Sequence, residues 1–199
     1  MSSNLIALLT DFGEKDYFAG AMKGVILSIN PKAKIIDISH QNPKHDVKSA
    51  AFTLLGASRN FPPETNFVVV VDPGVGTDRK CILLRTKNNL NFIGPDNGVF
   101  TLVANHYGVE EIREISNEEL ELPQVSSTFH GRDVMAPVAA HLSCDLEVSE
   151  VGPEIESIES FQVSEPEIKD EGLVGEVIHV DDFGNLITNI GKEIVRSFP

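Results

Sequence analysis

Short apolar runs of strand length alternate along the chain with segments in which apolar side chains return at helical spacing. Residues 5–9 form an unbroken apolar run that reads as a buried strand, and Tyr17, Phe18, Ala21, Met22, Val25, Ile26 and Ile29 then follow a helical period until Pro31. A second strand is expected over 35–38. Asp46 is placed to start a helix over 47–58, and Phe61-Pro62-Pro63 breaks the pattern before a third strand at 67–71. Strand and helix in alternation predict an α/β fold with a mostly parallel sheet flanked by helices. Residues 81–85 and 90–93, joined through Lys87-Asn88-Asn89, read as a hairpin added to that sheet, and 99–106 and 134–142 as further helices.

The pattern changes near residue 150. From 147 to 171 the chain is acidic, carries Pro153 and Pro166 and loses its periodicity, as a linker or extended arm does. Residues 175–180 then alternate as a strand, Asp181-Asp182-Phe183-Gly184-Asn185 reads as a turn, and 186–190 as its antiparallel partner. The expected organisation is an α/β domain over 1–152, an acidic linker over 153–171, and the start of a β domain over 172–199. A lone hairpin is marginal in water, so this last unit is expected either to pack on the first or to belong to a larger β domain.

At 199 residues, 41% hydrophobic, the chain is long enough to bury a core without staples. Its two cysteines, Cys81 and Cys144, form no CxxC pair and fit a reducing compartment. No apolar run approaches the ~18 residues of a membrane helix, and the amino terminus lacks the basic region of a signal peptide. A cytoplasmic location is therefore expected. The net charge of -14 would repel a phosphate backbone, which argues against nucleic acid as a partner.

Ligands of open α/β sheets bind beyond the carboxyl ends of the strands. Asp11 and Asp72 follow the first and third apolar runs and should project at one edge. Asp72 opens a glycine-bearing loop, Asp72-Pro73-Gly74-Val75-Gly76-Thr77-Asp78-Arg79, which lacks a P-loop ending but sets a carboxylate and an arginine close enough to pair. His130 precedes an apolar helix, a position that tends to lower an imidazole pKa. Phe183 and Asn185 offer an aromatic face and an amide that suit an adenine ring. Each has a plainer reading: Asp11 and Asp72 as turn or cap residues, Arg79 in a surface pair, His130 as a packed turn residue, and Gly184-Asn185 as hairpin formers. Asp11, His40, His45, Asp46 and His130 could also be assembled into a metal site, but their spacing matches no tight ligand motif.

Taken in order, Thr10-Asp11-Phe12-Gly13, Asp72-Pro73-Gly74-Val75-Gly76, Gly94-Pro95-Asp96-Asn97-Gly98, Phe129-His130-Gly131-Arg132-Asp133, and Asp182-Phe183-Gly184-Asn185 followed by Thr188-Asn189-Ile190 resemble the S-adenosyl-L-methionine hydroxide adenosyltransferases, relatives of the fluorinases and chlorinases. The resemblance implies a carboxyl-terminal antiparallel β-barrel domain, of which this chain would hold only the beginning. It also implies a homotrimer with active sites between subunits, and hydrolysis of S-adenosylmethionine to adenosine and methionine with no metal and no cofactor. On that resemblance Asp72, Arg79 and His130 are a catalytic triad. Asp11 holds the ribose, Asp181 meets the methionine ammonium, Phe183 stacks on adenine and Asn185 reads its edge, while Asp16, His45 and Gly131 line the pocket. Two rival readings are a binding module for S-adenosylmethionine or adenosine that does no chemistry, and a metal-dependent hydrolase using Asp11, His40, His45 and His130.

Overall fold

On the first strand, β1 (Leu5–Thr10), Ile6 and Leu8 turn to one side and Ala7 and Leu9 to the other, and all four are fully buried. A strand buried on both faces needs a layer on each. Ile6 and Leu8 meet Met22 and Ile26 of α1 (Phe18–Ile29), whereas Ala7 and Leu9 meet Ala50 and Leu54 of α2 (Val47–Ser58). The third strand, β3 (Asn66–Val70), repeats the division: Val68 and Val70 join the first layer, Phe67 and Val69 the second. α4 (Ala136–Leu142) completes the first layer and α3 (Thr101–Tyr107) the second.

The computed structural model describes residues 3–169 and 172–197. Met1, Ser2, Asp170, Glu171, Phe198 and Pro199 lie outside the described residues, and with them the last two positions of the expected linker and the last two of the expected β domain. The remaining strands of the sheet are β2 (Lys34–Ser39), β4 (Cys81–Thr86), β5 (Asn91–Pro95) and β6 (Val109–Glu114). The order is β2-β1-β3-β5-β4-β6, parallel across β2, β1, β3 and β5 and antiparallel from β5 to β4 and β6. The expected α/β architecture is therefore present. Asp46 accepts a hydrogen bond from the Ser49 amide at 3.0 Å and caps α2.

Three elements depart from the sequence reading. β6 was not expected, because Val109–Glu114 is mostly charged; it lies at the edge of the sheet, and only Ile112 is buried. The helix expected over 134–142 begins earlier as a widened turn, Gly131–Met135, in which the Ala136 amide reaches back five residues to the Gly131 carbonyl. Part of the acidic stretch is held in place: Glu154 bridges to Arg113, and the Ile155 amide bonds the Ile112 carbonyl at 2.9 Å.

The chain divides into two units, residues 1–160 and 161–199. The described residues of the second form two small antiparallel sheets, β7 (Glu167–Lys169) with β8 (Gly172–Val174) and β9 (Val177–Val180) with β10 (Leu186–Thr188), followed by a short helix, α5 (Lys192–Ser197). The expected β9 and β10 hairpin is there, whereas β7, β8 and α5 were not foreseen; a closed barrel is not formed by these described residues. None of the described helices is long and apolar enough to cross a membrane.

The second layer depends on Phe92, fully buried and stacked on Phe67 with ring centres 4.9 Å apart. Phe92→Ala is expected to destabilise the fold by about 3–5 kcal/mol. In urea denaturation this reads as a lower midpoint at unchanged slope.

Candidate active site

Thr10 and Val70 are paired in register on adjacent parallel strands, so Asp11 and Asp72 emerge from the same edge. The connection from β1 leads to β2 on one side, while β3 lies on the other, and a crevice opens where the strand order reverses. Asp11, Asp72 and His130 all line a cavity of about 240 Å³ there. A second cavity of about 490 Å³ shares Asp11, Phe12 and Lys44 with it and adds Asp16 and His40.

The loop after β3 folds back so that Arg79 returns to Asp72. The Val75 amide bonds the Asp72 carbonyl, and both the amide and hydroxyl of Thr77 bond the Gly74 carbonyl. Gly76 has φ +79°, and a Cβ there would stand 2.5 Å from the Ser127 carbonyl oxygen. Only a residue without a side chain lets the two loops approach so closely.

Arg79 directs each guanidinium nitrogen to a partner. Nε donates to Asp72 Oδ1 at 3.1 Å, Nη2 donates to Asp72 Oδ2 and reaches His130 Nδ1 at 3.4 Å, and Nη1 donates to Cys81 Sγ at 3.0 Å. The pair is buried, with the Arg79 and Asp72 side chains 8% and 5% exposed. A guanidinium can only donate, so His130 Nδ1 accepts and the neutral ring carries its proton on Nε2. Burial, then the neighbouring Arg79 charge, hold the His130 pKa below its ordinary value, against the opposing pull of Asp72 and Asp133.

Asp11 is buried, and its Oδ2 accepts the His45 amide at 2.9 Å. That bond holds His45 at φ +62°, in the left-handed region, with its imidazole largely exposed. Behind Asp11, Thr10 Oγ1 lies 2.9 Å from His40 Nδ1, His40 Nε2 lies 3.0 Å from Asp37 Oδ1, and the Asn42 amide donates to the Thr10 carbonyl. In the second unit Asp181 gathers its own turn, accepting from the Phe183 and Asn185 amides and from Asn185 Nδ2 at 2.6 Å. These bonds, the Asn185 side chain first, lower the Asp181 pKa. The Phe183 ring is 93% exposed.

A profile of the SAM hydroxide adenosyltransferase N-terminal domain matches residues 6–152, and one of the C-terminal domain matches 175–199. The chain belongs to the SAM hydroxide adenosyltransferase family. It is 42% identical over 196 residues to a protein of Methanocaldococcus jannaschii named (R)-S-adenosyl-L-methionine hydrolase, across 96% of this chain and 69% of that one. It is 30% identical to a fluorinase of Nocardia brasiliensis, across 94% and 71% of the two chains. The crystal structure of an uncharacterized conserved protein from Thermotoga maritima superposes with a TM-score of 0.92 at 50% identity, covering 95% of this chain and 72% of that one.

The structure gathers Asp11, His45, Asp72, His130 and Gly131 around one cavity, with Arg79 buried behind Asp72 and Asp16 in the adjoining cavity. Asp181, Phe183 and Asn185 share a turn of the second unit. Of the candidate metal ligands, Asp11, His45 and His130 share the cavity, whereas His40 faces Thr10 and Asp37 and Asp46 caps α2. Among the described residues no group of three or more His, Cys, Asp or Glu is arranged to hold a metal ion. Sequence reasoning missed Cys81 and Lys44. Cys81 follows Arg79 by two residues, a spacing that returns a strand side chain to the same face, and this was the available signal.

Because the folded His130 pKa lies below 6.5, the unfolded chain binds more protons as pH falls below that value. This stabilising contribution is complete above about pH 6.5 and is lost as pH falls through the folded pKa. Half-buried His141, whose pKa is also lowered by desolvation, acts in the same direction. Thermal melts across this range should show a steeper acid-side loss for the native chain than for His130→Gln. Parallel curves would contradict the assignment.

Proposed function

We propose that the protein hydrolyses S-adenosyl-L-methionine to adenosine and L-methionine. The observation that carries this reading is the buried Asp72–Arg79 pair with His130 against it, at the wall of a cavity in a chain of this family. The M. jannaschii relative's name gives the same activity for that protein.

Water attacks C5' of the ribose as the C5'–S bond breaks, and the bonding pair passes to sulfur. The leaving group is a neutral thioether, so it needs no proton and no metal, and the reaction uses no cofactor. The water must lose a proton, and Asp72 is suited to take it. Each Asp72 oxygen already accepts from Arg79, which fixes the carboxylate while leaving lone pairs over. His130, with its proton on Nε2, acts as a donor that orients the water. Closure of the cavity around the sulfonium aligns water, carbon and sulfur and keeps bulk solvent away. Asp11 binds the ribose hydroxyls through the carboxylate not fully occupied by His45, and Asp16, His45 and Gly131 line the pocket.

The assembly is proposed to be a homotrimer in which Asp181, Phe183 and Asn185 of one copy serve the cavity of another; the outward Phe183 ring supports this. The domain expected over 172–199, after an acidic linker over 153–171, is read as part of a small antiparallel barrel, and the one expected over 1–152 as the catalytic α/β domain. The protein acts in the cytoplasm, without a nucleic-acid or membrane partner.

Incubation with S-adenosylmethionine in oxygen-18 water should give adenosine labelled at the 5' oxygen and methionine in equal amount. Asp72→Asn should reduce kcat about a hundredfold or more while calorimetry finds substrate binding little changed. Unlabelled adenosine, or a variant as fast as the native protein, would refute the mechanism. Sedimentation should give a trimer mass; a monomer with full activity overturns the shared site.

A further inference from the structure

A buried carboxylate that takes no part in this chemistry stands three residues past His130. Asp133 is fully buried, with no exposed side-chain surface. Its Oδ1 accepts Arg132 Nε at 2.6 Å, and its Oδ2 accepts both Arg132 Nη2 at 3.1 Å and the Ser126 amide at 2.8 Å. Its carbonyl accepts the Leu122 amide. Burying a charge is unfavourable unless such bonds compensate it, so the arrangement calls for an explanation.

We propose that Asp133 is a positioning residue for His130, whose carboxylate clamps the backbone at Ser126 and the side chain of Arg132 and thereby seats the loop 126–130 against the Asp72–Arg79 loop. The consequence for turnover rests on the hydrolase reading; the placement of His130 does not.

Two lines run from Asp133 to the cavity. Through Ser126 the clamp fixes the next residue, Ser127, whose carbonyl oxygen lies over Gly76 in the Arg79 loop. Through Arg132 it holds a guanidinium 5.0 Å above the Phe129 ring, which in turn packs edge-on to Phe12 at 5.6 Å and Phe18 at 5.2 Å. Phe129 and Phe12 both line the cavity. His130 sits between these two anchors, at the start of the widened turn that directs Asp133 inward. Releasing Asp133 therefore loosens the chain just before His130 and lets the imidazole leave Arg79 Nη2.

The charged and titratable groups facing His130 are Asp72 and Arg79 from the loop after β3, Asp133 on its own turn, and Asp11, Lys44 and His45 across the cavity. Asp133 raises the His130 pKa, although burial and Arg79 outweigh it.

The test is an NMR titration of the His130 ring in the full chain without substrate, alongside steady-state kinetics. Asp133→Ala releases Ser126 and Arg132 together, so the imidazole leaves Arg79 and the His130 midpoint should rise above the native one. Asp133→Asn loses the negative charge but keeps an acceptor for Ser126, so its midpoint should move below the native one. Opposite shifts separate the seat from the charge, since loss of charge alone lowers the midpoint in both. In Asp133→Ala kcat should fall about tenfold or more with KM little changed, and Asp133→Asn should recover part of that loss. An unmoved midpoint in Asp133→Ala, or one that falls with that of Asp133→Asn, overturns the proposal even where the melting temperature drops. Should Asp133→Ala fail to fold, Arg132→Gln, which removes one arm of the clamp, should raise the midpoint, and no rise overturns the proposal. A native protein that shows no hydrolysis would refute the hydrolase reading and leave the titration to judge Asp133.

Discussion

A single guanidinium organises the site. Arg79 reaches both oxygens of Asp72, the ring of His130 and the thiol of Cys81 through its three nitrogens, with a side chain largely withdrawn from solvent. Taking one partner from a buried pair of this kind generally costs about 3–5 kcal/mol, because the other charge is left uncompensated. The loop after β3, the start of β4 and the turn before α4 are thus tied to one another by charge as well as by apolar packing. The tie also fixes protonation: a residue that only donates leaves His130 a single neutral tautomer.

The sheet supplies what the loops need. Parallel register between β1 and β3 brings two aspartates to the same edge, and fully buried strands between two apolar layers keep that edge rigid. Polar contacts extend the rigidity to Asp11. Thr10, His40 and Asp37 form a line of contacts beneath it, and the His45 amide reaches over it.

Legibility in the sequence followed the physics of each element. The strands at β1 and β3 are continuous apolar runs between turn residues, and α2 announces itself through Asp46, so all three could be read locally. β6 could not, since an edge strand needs only one apolar side chain and Val109–Glu114 carries its charges outward. Asp72 and Arg79 belong to one short loop, and their pairing could be anticipated from spacing. His130 is 51 residues from Arg79, and no local pattern links them; it was the order of the motifs that joined the two. Cys81 and Asp133 stayed silent because their parts depend on which way an arginine points, and spacing does not encode that.

The contact between Gly76 and the Ser127 carbonyl has an implication for anyone rebuilding this protein. Two segments distant in the chain share one van der Waals boundary, and neither has slack to offer the other. A loop transplanted from a relative to change the nucleophile would arrive shaped for a different counterpart. The unit of exchange is therefore the matched pair, residues 72–79 together with 126–130, and libraries that vary one while holding the other constant will mostly sample frustrated combinations.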